Sequence, residues 1–193
     1  LGVNKEGDYL IRVRAFDWKG NSSDSDPVHV VAKEGQEIMI CRDYVAKVDG
    51  LITEFGAYRK KFQNAYTAAK NGKISYAEAG YVFDEVGDQR RELLCRLNSI
   101  PAPAPFVVAH NLFAQQISYA IKADDLAVLW ARDMAIWETS GMYYGEEPDP
   151  NGYEKQMQSA SAACQKKAVE FRNEYNAQRA AQLNAGPAPD PAA

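Results

Sequence analysis

The chain has 193 residues, 46% of them hydrophobic and 25% charged, which suits one ordinary globular domain plus a fragment, or two small domains. A net charge of −4 and a pI near 5.3 exclude the concentrated basic surface that phosphate recognition requires, so a nucleic-acid partner is not expected. The longest uncharged stretch, Leu97 to Ile121, contains Pro101, Pro103, Pro105, His110, Asn111, Gln115 and Gln116 and does not read as a membrane span.

The first 32 residues differ from the rest. From Tyr9 to Ala15, residues Tyr9, Ile11, Val13 and Ala15 alternate with Arg12 and Arg14, the period-2 pattern of a half-buried strand. A polar turn region from Asp17 to Pro27 follows, and Val28 to Ala32 forms a second β-branched run. A two-stranded hairpin is marginal alone, so this unit is expected to complete a sheet whose other strands lie outside the chain.

The string from Gly7 to Val31 resembles the last two strands of a fibronectin type III or bacterial immunoglobulin-like sandwich. Tyr9, Ala15, Asp17, Gly20, Asn21 and Ser23 fill that pattern's positions. The resemblance implies that Tyr9 serves as a tyrosine corner, and that residues 1–32 end a spacer module in a secreted, periplasmic or cell-surface protein.

From Gly35 onward the period becomes helical. Ile38, Val45, Ile52 and Tyr66 share one heptad-like line, and Cys41, Val48, Phe55, Phe62 and Ala69 share another. They predict a first helix of roughly 35 residues. Arg59 interrupts the apolar line, Gly50 and Gly56 are places for a bend, and Asn71-Gly72 supplies the stop. The triplet Arg59-Lys60-Lys61 is read as a solvated face rather than an anion site.

Ser75-Tyr76-Ala77-Glu78 has the form of a capping box, opening a second helix with Ala79, Val82, Phe83, Val86, Leu93, Leu94 and Leu97 inward and an end at Asn98 or Ser99. The alternation from Pro101 to Pro105 forms a stiff connector. A third helix is predicted from about Pro105 to Ser140, using Val108, Leu112, Ile117, Ile121, Leu126, Leu129, Met134 and Trp137, with Gly141 as its left-handed end. Asn151 with Glu154 resembles a cap for a fourth helix from about Gly152 to Asn184, turning Met157, Cys164, Ala168, Phe171, Tyr175 and Gln178 inward. The Pro/Ala tail, 186–193, reads as unstructured.

The predicted fold is therefore mainly α: an antiparallel up-down four-helix bundle over 33–185, preceded by the end of a β-sandwich. The stretch from Leu97 to Pro103, followed by a helix bearing His110, resembles unannotated helical modules of bacterial envelope proteins, a likeness that implies no activity.

Chemistry-bearing patterns are sparse. No Glu-x-x-His pair supports a dimetal bundle, and no nucleophile elbow, phosphate loop or dinucleotide fingerprint occurs. His110 is read as a hydrogen-bonded core or boundary residue. Glu147, Asp149, Asn151 and Gly152 imitate the start of an EF-hand loop, but Lys155 and Gln158 stand where later ligands belong, so no metal or cofactor is expected. Helix arithmetic separates Cys41 from Cys95 by about 15 Å and Cys95 from Cys164 by about 30 Å along the axis, predicting three reduced, mostly buried thiols.

The most suggestive sequence feature is a cluster of aromatics near the two helical turns. Tyr66 and Tyr76 flank the first, while Trp137, Tyr143, Tyr144 and Tyr153 surround the second. The third helix outlasts the second by about ten residues, which predicts that Trp130, Met134 and Trp137 lack cover from the first helical hairpin. Either the loop from Met142 to Tyr153 folds over them as a lid, or they form a binding surface for a protein or glycan. The leading expectation is a noncatalytic structural or interaction module, assembling with itself or a protein partner. The alternative is a small-molecule or glycan-binding domain using the aromatic tip or the bundle core.

Overall fold

The computed structural model describes residues 7–16, 21–32, 36–140, 149 and 151–184. It is mainly helical. The chain divides into two compact units, Leu1–Ile40 and Cys41–Ala193.

Among its described residues the first unit contains four short strands, β1 (Gly7–Ile11), β2 (Arg14–Phe16), β3 (Ser22–Asp24) and β4 (Val28–Ala32). β1 pairs antiparallel with β4, and β2 with β3. The single strand expected over 9–15 is thus interrupted, and part of the expected polar turn is itself a strand. The register explains the break: Ile11 faces Val28, but Arg14 faces Asp24, so two residues on one side oppose three on the other, as in a β-bulge. Pro27 lies in the longer segment and has no N–H for the ladder. Ser25 fills in: its N–H donates to the Val13 carbonyl at 2.9 Å, and its Oγ accepts from the Val13 N–H at 3.0 Å. Beyond the bulge, Arg14 forms a two-pronged pair with Asp24 at 2.6 and 2.8 Å. The side chain of Tyr9, and residues Asp17 and Gly20, lie outside the described residues.

The second unit takes in, among the described residues, four long helices: α1 (Gln36–Lys70), from Cys41 onward, α2 (Tyr76–Asn98), α3 (Val107–Ser140) and α4 (Tyr153–Leu183). α1 runs unbroken through Gly50 and Gly56, and neither glycine bends it into two helices. Gly72, at φ +66°, closes it: Lys73 N–H reaches the Ala68 carbonyl at 2.8 Å and Gly72 N–H the Ala69 carbonyl at 3.0 Å, the two bonds of a Schellman motif. Ser75 then caps α2, its Oγ accepting from Glu78 N–H while the Glu78 carboxylate accepts from Ser75 N–H. Pro103 is extended and leads into a 3-10 turn, Ala104–Phe106, so the connector ends sooner than expected and Phe106 enters the core.

α4 is capped differently from the sequence expectation. Asp149, not Asn151, accepts from the N–H groups of Tyr153 and Glu154, at 2.9 and 3.0 Å, while Asn151 donates to Asp133 at 2.7 Å. Gly141 and residues 142–148, which include Tyr143 and Tyr144, lie outside the described residues, as does the tail 185–193.

Cross-helix contacts fix the directions. Early α1 meets late α4, where Arg179 pairs with Asp49 and the Tyr175 hydroxyl donates to the Val45 carbonyl and Asp49 at 3.3 and 3.1 Å. Late α1 meets early α4 through Lys70 and Glu154 at 2.9 Å. Arg96 of α2 grips Glu54 of α1 at 2.6 and 2.7 Å, and Arg91 of α2 pairs with Asp125 of α3. Successive helices therefore alternate in direction in a bundle-like arrangement. No helix among the described residues is long and apolar enough to cross a membrane.

Two apolar clusters fill this unit. One gathers Tyr44, Val48, Ile52, Phe55, Leu93, Phe106, Phe113 and Tyr175. The other gathers Ala79, Phe83, Ala127, Trp130, Met134 and Met157. α3 buries Ile117, Leu126 and Met134 as expected, but the rest of its inward face differs from the expected one. Its seam is Ala109, Phe113, Gln116, Ala120, Ala123, Ala127, Trp130 and Met134, spaced alternately four and three apart. Val108 is exposed, and Leu112, Ile121 and Leu129 are only half-buried. Large aliphatics lie all around α3, so their positions point to no single side, whereas the alanines that face the core carry little hydropathy signal.

Candidate functional site

The aromatic end of the helices is a packed cluster. Trp130 is 1% exposed, with the rings of Tyr66 and Tyr76 each 5.2 Å from it, centre to centre. Those two tyrosines belong to the first helical hairpin, so Trp130 has the cover that residue counting denied it. Trp137 and Tyr153 pack against the same cluster and are half-buried. The Tyr66 hydroxyl donates to Glu154 at 2.5 Å, Lys70 donates to the same carboxylate, and the Lys70 ammonium sits 5.8 Å from the Trp130 ring centre. These partners hold the Glu154 carboxyl below its ordinary range against the opposing effect of its partial burial. Burial, with the Glu154 charge beside it, pushes the Tyr66 phenol well up. The structure thus brings Tyr66, Tyr76, Trp137 and Tyr153 together, and the polar groups of Tyr66, Lys70 and Glu154 satisfy one another.

A second polar constellation lies at mid-height, where the two apolar clusters meet. Each helix places a polar or small residue on its inward seam there: Arg59 on α1, Arg90 on α2, Gln116 on α3 with Asp124 beside its seam, and Cys164 and Ala168 on α4. These residues line a cavity of about 120 Å³. Its remaining walls are Phe55, Phe62, Ala120 and Ala123, and Gln63, Ser161, Gln165 and Arg172 stand around it from α1 and α4. The alanines and Ser161 create the space, since larger side chains at those positions would close it.

Arg90, Gln116 and Asp124 are 5%, 4% and 1% exposed. Arg90 Nη1 donates to Asp124 Oδ1 at 2.5 Å, and the guanidinium lies 5.2 Å from the Phe55 ring centre. Yet Arg90 Nε, Asp124 Oδ2 and Gln116 Oε1 have no hydrogen-bond partner among the described residues. Burial pushes the Asp124 carboxyl up to about 7, and Arg90 only partly opposes it. Three unmatched polar atoms around one cavity depart from the rule that buried polar groups are paired.

Burial pushes the Cys164 thiol up, although Arg90 and Arg59 favour its ionised form, so it is a thiol at neutral pH. Among the described residues no group of three His, Cys, Asp or Glu side chains is arranged to hold a metal. His110 lies elsewhere, with Nδ1 3.3 Å from the Tyr44 hydroxyl, and burial lowers its pKa. Cys41, Cys95 and Cys164 form no disulfide with one another, but Cys95 is exposed, which corrects the expectation of mostly buried thiols: its position on α2 falls outside the seam that runs through Leu93 and Leu97.

Sequence reasoning missed Arg90, Gln116 and Asp124. One signal was present. Arg59 breaks an otherwise apolar heptad line, and the structure separates it from its neighbours: Lys60 is exposed and Lys61 pairs with Glu85 at 2.6 Å, whereas Arg59 turns to the cavity. Comparison with protein-family models, curated proteins and solved structures gives no match.

Proposed function

We propose that the chain is a noncatalytic interaction module of a larger extracytoplasmic protein, in which an antiparallel up-down four-helix bundle follows the last strands of a β-sandwich. The carrying observation is the apolar exposure of the hairpin. Leu10 and Phe16 are 70% and 69% exposed, and Val13 and Val28 are exposed with them. A hairpin with so many uncovered apolar side chains needs further strands to stabilise it. The pattern Tyr9, Ala15, Asp17, Gly20, Asn21 and Ser23 supports the remaining strands of a fibronectin type III-like sandwich as the cover, and with them the secreted or cell-surface setting. The inward packing of Trp130 with Tyr66 and Tyr76 supports a helical unit that acts as a rigid element in assembly or adhesion.

Sedimentation velocity tests this reading. Without its covering strands, the 193-residue chain associates as its concentration rises from about 5 to about 500 μM, and a Leu10→Asp/Phe16→Asp variant remains monomeric with unchanged helical circular dichroism. A native chain that stays monomeric throughout, with strand amides strongly protected from hydrogen exchange, would show a self-sufficient hairpin and overturn the proposal.

A further inference from the structure

We propose that the helical unit associates side by side with a second copy of itself, the α1/α4 side of one copy lying against the α2/α3 side of the next. The proposal rests on the assembly reading and names the surface through which assembly proceeds. Within the unit α1 neighbours α4, through the Asp49 pair with Arg179 and the Lys70 pair with Glu154, and α2 neighbours α3, through Arg91 and Asp125, so the two helix pairs form opposite sides. Their charges are opposite too. α4 and the part of α1 from Cys41 onward carry eleven basic and six acidic residues, whereas α2 and α3 carry five basic and nine acidic ones.

Pairing inside the unit deepens the contrast. All six acids on the basic side already have donors: Asp43 has Lys47 and Glu170 has Lys167, each at 2.7 Å, Glu174 has Gln178 at 3.0 Å, Glu54 has Arg96, and Asp49 and Glu154 are held as above. Lys60, Lys155 and Lys166 are exposed and make no hydrogen bond or ion pair among the described residues. On the acidic side Asp84 and Glu92 are exposed in the same condition, and Asp88 and Asp125 share the one guanidinium of Arg91. An excess of cations thus stands on one side and an excess of carboxylates on the other.

The two excesses lie at one height. Lys60 and Lys166 directly follow Arg59 and Gln165, which line the mid-height cavity from α1 and α4, while Asp88 and Asp125 stand within two residues of Arg90 and Asp124, which line it from α2 and α3. A second copy set alongside in the same direction therefore brings its lysines to the Asp84 and Asp88 carboxylates. Tyr81, 78% exposed, lies three residues before Asp84 on the same helix face and offers a ring to a lysine ammonium. Two different patches in contact make a heterologous interface, which repeats into an open row instead of closing as a dimer. Exposed charges are screened over about 8 Å at physiological ionic strength, so separate chains hold this contact at low salt, and at physiological salt it forms between copies already kept close in a larger assembly.

Sedimentation velocity of a Leu10→Asn/Phe16→Asn chain, which removes the apolar hairpin contact at constant charge, separates this contact from the hairpin's; the hairpin reading itself is decided on the native chain in about 0.15 M salt. In about 20 mM salt the average mass of the Asn variant is expected at least about to double between about 5 and about 500 μM, and in about 0.15 M salt to stay that of one chain. In the same background Lys60→Glu/Lys166→Glu and Asp84→Lys/Asp88→Lys each abolish the low-salt association with unchanged helical circular dichroism, and an equal mixture of those two chains restores it. Lys73→Glu/Lys122→Glu, which changes net charge as much as the first pair but lies outside the basic side, retains it. A constant mass in low salt would leave the basic side to a different, acidic partner and overturn the inference, as would association indifferent to salt or a mixture of the reversed chains that stays monomeric.

Discussion

Polar groups enter the helical core at two levels, and they are organised in opposite ways. At the aromatic end, Glu154 is held by the Tyr66 hydroxyl and the Lys70 ammonium, which itself sits over Trp130. At mid-height, Arg90 and Asp124 are buried more deeply, yet each keeps a buried atom without a hydrogen-bond partner among the described residues, as does Gln116. The first arrangement closes the core around large rings and stabilises it. The second carries a desolvation cost that the pair alone does not recover. A buried polar group whose hydrogen bonds are complete is an element of packing, whereas an incomplete set leaves a desolvation cost unrecovered.

The largest way to sharpen this contrast is to remove one partner of the mid-height pair. Asp124→Ala leaves the Arg90 charge buried without its counter-ion, and urea unfolding at pH 8 is expected to show a loss of about 3–5 kcal/mol. A loss below about 1 kcal/mol would mean that Arg90 finds another partner or reaches water.

A smaller effect comes from pH. The Asp124 carboxyl titrates at about 7 in the folded chain, against about 4 in an unfolded one. Between these values the folded state keeps a proton that the unfolded state has released, so this group lowers stability as pH rises from about 4 to about 7. Asp124→Asn removes that dependence. Unfolding curves of both chains across this window are therefore expected to show the native chain losing stability relative to the variant, and a gain would contradict the assignment.

The smallest of the three effects lies at the aromatic end. Tyr66→Phe removes one of two donors to Glu154 and leaves the ring in place, so the cost is about 1 kcal/mol by thermal unfolding. A loss as large as that of Asp124→Ala would erase the distinction between the two levels.

Much of the helical layout is legible in the sequence because local rules specify it. Ser75 and Glu78 make a capping box in one short stretch, Gly72 supplies the left-handed stop, and the heptad line through Cys41, Val48 and Phe55 identifies the inward side of α1. What escapes depends on neighbours distant in sequence. Asp149 rather than Asn151 caps α4: its carboxylate, three residues before Gly152, reaches forward to the N–H groups of Tyr153 and Glu154. α3 conceals its seam because alanines face inward while valines and leucines lie on its flanks. The cavity is hardest to see, since it arises only where Arg59, Arg90, Gln116 and Cys164 reach the same height on four helices. A single arginine in an apolar line is a weak sign; four seams interrupted at one level form a site.

The most direct test replaces the whole mid-height pair at once. In Arg90→Met/Asp124→Leu both charges give way to apolar side chains of similar size, and urea unfolding compares the variant with the native chain. If the pair costs more to bury than its one ion pair returns, the variant is at least as stable as the native chain, by up to about 4 kcal/mol. A variant less stable by about 3 kcal/mol or more would show that the polar layer holds the helices together, contradicting the account.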